Sequence, residues 1–228
     1  MKNIPNPTNS GGIIHIVTLA LPLILGNLAI PLLGVISTSI VGHLKQNIDL
    51  SAVGIGTTVF DFIFWGFAFL RFSTTALVSQ AKGAKSQQDI HIIIVQALLL
   101  AVTIGLLLII FGHPLSYLVP FFLHHQHPLV AKHAETFFHI GIWVSPIEMI
   151  SYVAMGFFIG MQMTWYVLYM LLITLISASA LDMLFVYYLH MGASGIALGY
   201  VISLTLAVSF GLFWVFHHGN FHAFTWNN

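Results

Sequence analysis

Three acids, Asp61, Glu148 and Asp182, each stand alone inside a long apolar run. Hydrocarbon tolerates a carboxyl group only where it meets a cavity or a polar partner. Each is therefore a candidate to carry a proton, to pair with a cationic ligand, or to bond a neighbouring helix as structural glue. At helical spacing Asp182 shares a face with Thr174 and Ala178, and Asp61 shares one with Gly54, Thr58, Trp65 and Ala68. Glu148 follows Pro146 by two residues, where a kinked helix would free backbone carbonyls. A counter-ion for a cationic substrate and a purely structural role both fit it. Asn27, Pro31, Gly34 and Thr38 recur at i, i+4, i+7 and i+11, a polar and helix-disturbing stripe that must avoid lipid. A packing seam and a site-lining face both match that pattern. His124, His125 and His127, and again His217, His218 and His222, are metal ligands by type. Without a companion carboxylate motif they read as wet interfacial segments, so no metal and no resident cofactor are expected. Walker, G-x-S-x-G and H-E-x-x-H patterns are absent, and no enzyme chemistry is expected.

The elements that must position these residues are membrane helices. The chain has 228 residues, of which 58% are hydrophobic and 5% charged, with a mean hydropathy of +0.97. Soluble domains carry about 25% charged residues. Six basic and six acidic residues balance, with no basic block for nucleic acid, and cysteine is absent. No Asp, Glu, Lys or Arg occurs from residue 13 to residue 42, whereas about 20 helical residues suffice to cross a bilayer. That run is too long for a signal-peptide core and is expected to remain as the first span. Spans follow at about 13–41, 50–72, 90–112, 137–160, 166–189 and 196–216. Arg71 is expected to close the second as an interfacial anchor with a snorkelling stem. Pro114 and Pro120 are expected to break the chain after the third, with an interfacial loop from 121 to 136. The third span is expected to face lipid.

Lys and Arg near span ends set orientation. Lys2, Arg71, Lys82 and Lys85 fall on one side, Lys45 and Lys132 on the other. This places a polar lead (1–12) and a short tail (217–228) in the cytoplasm, with a six-helix lobe (13–216) between them.

Four phrases carry a resemblance: LALPLILGNLAIPLLGVISTSIVGHL, FWGFAFLRFSTTALVSQAKGAK, FFHIGIWVSP with GFFIGMQ, and ALDMLFVYYLHMGASGIALGYVIS. Together, over residues 19–203, they resemble the multidrug and toxic compound extrusion (MATE) transporters, and most closely their bacterial DinF-like branch. The resemblance implies an all-α membrane fold, with this chain as the N-terminal six-helix lobe of a twelve-helix transporter. It implies a multi-pass protein of the bacterial inner membrane that exports organic cations or drug-like compounds in exchange for H⁺ or Na⁺. Partners implied are the lipid bilayer and either a C-terminal lobe or a second copy. A lobe that transports nothing by itself is the alternative reading.

The chain departs from the family pattern where coupling would occur. Ser37 stands where the DinF-like branch has an Asp, Ala178 where the fifth span has an Asn, Ser151 where the fourth has an Asn, and Gly141 where an Arg precedes its Trp. Of the expected cation-site residues only Asp182 remains. Ser37 can donate or accept a hydrogen bond but releases no proton near neutral pH.

Overall fold

The computed structural model describes residues 10–42, 47–116 and 128–218. Among them every element is helical. In chain order these are α1 (Ser10–Gly42), α2 (Asn47–Trp65), α3 (Phe69–Gly83), α4 (Gln87–Ser116) and α5 (Pro128–Gly141). A 3-10 turn (Ile142–Val144) leads into α6 (Ser145–Gly160), and α7 (Thr164–Met183) runs into a π-helical turn (Leu184–Tyr188) before α8 (Ala193–His218). They assemble into six helices long and apolar enough to cross a membrane.

The fourth span is the hub. Its α6 half packs against α3, α4 and α8, while α5 packs against α2 and α8, and α7 lies between α1 and α8. Phe138, Phe157, Phe158 and Met149 on this span are fully buried, and Leu70, Val78 and Ile94 close over them. Association inside a bilayer depends on close packing more than on the hydrophobic effect, so small residues at contacts matter most. Gly156 and Gly160 supply the approach of α3. A Cβ on Gly156 would stand 2.8 Å from the Arg71 carbonyl oxygen, and one on Gly160 2.9 Å from that of Thr75.

Several expected boundaries shift. The second span continues to Gly83, so Arg71 does not close it but lies within it, half-buried, its guanidinium 5.1 Å from the Phe72 ring. The span is interrupted at residues 66–68, where the Phe67 and Ala68 amides bond the Phe64 and Trp65 carbonyls three residues back. Such a tight turn marks a discontinuity in an otherwise α-helical rod. The helix of the third span passes through Pro114 to Ser116, and residues 128–136, expected as loop, open α5 instead. Pro146 sits in the first turn of α6, where a missing amide removes no intrahelical bond. It therefore begins a helix after a 3-10 turn rather than kinking one. His124, His125, His127 and His222 lie outside the described residues.

The stripe of Asn27, Pro31 and Gly34 is exposed, with Thr38 half-buried beside it. The seam of α1 is instead Pro22, Gly26, Ala29, Ser37 and Ile40, all buried. It lies about 100° around the helix, one residue out of step with the predicted stripe. Apolar residues are spread over every face of α1, so hydrophobic periodicity could not tell the packed side from the open one.

Candidate functional site

Asp182 closes α7 immediately before the π-helical turn, and π turns recur at functional positions. It is 1% exposed. Ser37 Oγ on α1 donates to its Oδ2 at 2.6 Å, so the first and fifth spans are joined at this carboxyl. Among the described residues its other oxygen, Oδ1, is buried with no hydrogen-bond partner. It faces Gly199 on α8, where a Cβ would stand 2.5 Å away. One carboxyl oxygen is thus held by a hydroxyl, and the other is boxed against the backbone of a third helix without a donor. Orphaned buried oxygens are rare because leaving one unpaired costs about 1–3 kcal/mol.

Gly199→Ala is expected to push the carboxyl off Ser37, since the new methyl and Oδ1 cannot share that volume. The variant should lose about 1–3 kcal/mol, and Ser37→Ala about 1 kcal/mol. The two losses should fall short of additive, because both act through one hydrogen bond. Unfolding of the purified single and double variants in detergent checks this, and strict additivity would refute the shared site.

The remaining candidates fall into three groups. Thr174 and Ala178 are buried on the Asp182 side of α7, but the Thr174 hydroxyl donates to the Met170 carbonyl at 3.1 Å and so serves its own helix. Ser151 is likewise buried and donates to the Glu148 carbonyl at 2.8 Å. Asn27, Pro31, Gly34 and Thr38 occupy the open side of α1, where Thr38 donates to the Gly34 carbonyl at 2.7 Å. Glu148 belongs to a separate cluster. It is 9% exposed, and Tyr200 Oη on α8 donates to its Oε2 at 3.0 Å. Tyr152, one turn along α6, donates to the Phe64 carbonyl at 3.5 Å, at the edge of the second-span discontinuity. Asp61, exposed on α2, is near enough to act electrostatically on Glu148.

Tyr200, Tyr152 and Gly199 escaped the sequence reading. The available signal was a phenol in the middle of an apolar run, since a buried tyrosine hydroxyl usually has a partner. His217 and His218, at the end of α8, join an aromatic stack with Phe213, Trp214 and Tyr166. His218 Nδ1 lies 3.2 Å from the Trp214 carbonyl. An apolar groove of about 670 Å³ beside this stack, lined by Tyr166, Tyr169, Ile173, Ile176, Phe210 and Trp214, holds none of the acids.

The MatE family model matches residues 22–184, from the first span to just beyond Asp182. The chain belongs to the MatE family. Among curated MatE relatives, DNA damage-inducible protein F of Escherichia coli (strain K12) is 34% identical over 197 residues, covering 86% of this chain and 43% of that protein. Probable multidrug resistance protein NorM of Acinetobacter baylyi is 32% identical over 99 residues, covering 43% of this chain and 22% of the relative. The MatE fold is also that of solved structures. A MOP superfamily transporter from Pyrococcus furiosus superposes with a TM-score of 0.82 at 21% identity, over 90% of this chain and 45% of that one. The outward-facing conformation of a multidrug resistance MATE family transporter gives 0.81 at 22% identity, over 89% and 44%. The chain thus spans less than half the length of these MatE relatives, and its six spans make it a multi-pass membrane protein.

Proposed function

We propose that this chain is one lobe of a bacterial inner-membrane multidrug efflux antiporter, with Asp182 as its coupling group and H⁺ as the coupling ion. The observation that carries the reading is the orphaned Oδ1 of a buried carboxyl that is held on its other side by Ser37. A proton there would discharge a carboxylate buried in the membrane interior, which supports H⁺ as the coupling ion. Substrates would be drug-like molecules, organic cations among them; the words multidrug resistance in the names of the NorM relatives support the first part of that reading. Exchange in such folds needs two bodies rocking about a midplane site. The partner would be a C-terminal lobe or a second copy, and without one the chain would be a non-transporting membrane protein. In support, Asn27, Pro31, Gly34 and Asp61 lie exposed on membrane-spanning helices, where a carboxylate and an amide are poorly suited to lipid.

Labelling with a hydrophobic carbodiimide, which reacts with protonated buried carboxyls, tests the assignment. Asp182 should be modified in acidic buffer and protected by alkaline buffer or by a fluorescent organic cation. Modification indifferent to both would sink the proposal. Both termini would be cytoplasmic, from the excess of Lys and Arg on that side. An alkaline phosphatase fusion to the C-terminus should accordingly be inactive, and strong periplasmic activity would reverse the orientation.

A further inference from the structure

Glu148 lies where two irregularities of the lobe converge. It is in the first turn of α6, directly after the 3-10 turn of the fourth span. Tyr152, one turn along α6 from it, reaches the carbonyl edge of the break in the second span. Its hydrogen-bond partner, Tyr200, follows Gly199, the residue that seats Asp182. The two buried carboxyls of the lobe therefore contact successive residues of one helix, separated by a rise of about 1.5 Å. Broken helices gathered around an ionisable group inside a membrane characterise ion pathways. Asp61, exposed on α2, is an acid on the open face within electrostatic reach of Glu148.

We propose that Glu148 is a second proton-carrying carboxyl of the lobe, fed through Asp61 and linked to Asp182 through α8. It takes the place of the acid that Ser37 does not supply. The proposal rests on the reading of Asp182 as the coupling group, but concerns a different residue and a different hydrogen-bond set. In the charged state Glu148 accepts from Tyr200. When a proton passes from Asp61, the Asp61 O–H breaks and an O–H forms on Glu148; Asp61 is left as a carboxylate and regains a proton from the open face. The Glu148 carboxyl can then donate, and where it does so to Tyr200 the phenol turns from donor to acceptor. That change is delivered to α8 one residue from the Asp182 seat. The charged and titratable groups facing the cluster are Asp61 from α2, Arg71 from α3, Tyr152 from α6 and Tyr200 from α8.

Infrared difference spectra of the purified full chain in lipid, acidic minus alkaline buffer, read protonated carboxyls directly. Glu148→Gln should remove one protonated-carboxyl band and leave the Asp182 band, whereas Asp182→Asn should do the reverse. Tyr200→Phe, which deletes only a hydroxyl, should move the Glu148 band and serves as the readout if Glu148→Gln fails to fold. After a pH jump, Asp61→Asn should slow the appearance of that band. A spectrum unchanged by Glu148→Gln, or a band unmoved by Tyr200→Phe, overturns the proposal; an unchanged rate in Asp61→Asn overturns the route. Loss of the Asp182 assignment with the Glu148 band intact would refute the coupling reading alone.

Discussion

Cells expressing this chain alone are expected to show no proton-gradient-dependent efflux of a fluorescent organic cation. The second, third and sixth spans pack on the fourth, and the fifth lies between the first and the sixth. Among the described residues nothing in that packing supplies a second body against which the lobe could rock. Coupling further demands a group whose protonation has different free energy in the two facing states, since only differential affinity shifts the equilibrium between them. Asp182, bonded to Ser37 and boxed by Gly199, could be such a group, but a single lobe offers it only one environment. The measurement is dye efflux with the gradient imposed and then collapsed, in cells making the chain and in cells making Asp182→Asn. Efflux that follows the gradient and vanishes in the variant would show that two copies rebuild the missing body.

Gly156→Val is expected to separate the second span from the fourth and so dismantle the hub. The obstacle is backbone and a β-carbon, not the movable end of a side chain. A Cβ would lie 2.8 Å from the Arg71 carbonyl oxygen and 2.8 Å from Thr74 Cβ, and valine adds two further methyls. Overpacking typically costs 1–3 kcal/mol, and a clash with main chain on one side and helix on the other belongs at about 3 kcal/mol or more. Gly54→Ala on α2 is the control. Nothing lies within 4 Å of its Cβ position, and replacing a helical glycine by alanine gains about 0.5–1 kcal/mol. Thermal unfolding of the three purified proteins in detergent should place Gly156→Val far below wild type and Gly54→Ala at or above it. A Gly156→Val protein as stable as the control would mean that α3 and α6 do not meet there.

Asp182 could be picked out from the sequence because an acid inside an apolar run is anomalous whatever surrounds it. Its bond to Ser37 could not, because the two residues lie 145 positions apart. Which helix faces which is settled only by assembly. Glu148 shows the same limit. Its interhelical bond could not be read either, because the donor, Tyr200, lies 52 residues on.

The sequence by itself determined the six spans, the all-helical membrane fold, the isolated acids and the family. All of these follow from the length of apolar runs and from local polar punctuation. Tertiary structure alone decided how each helix is rotated. In soluble proteins the contrast between apolar and polar faces orients a helix. Here lipid and protein interior are equally apolar, so the first span could turn its Pro22, Gly26, Ala29 and Ser37 side inward and leave Asn27, Pro31 and Gly34 outside with no signature in hydrophobic periodicity. The second span is interrupted at residues 66–68, where Gly66 permits a break. Which neighbour each half meets, α2 on α5 and α3 on α6, was decided by assembly.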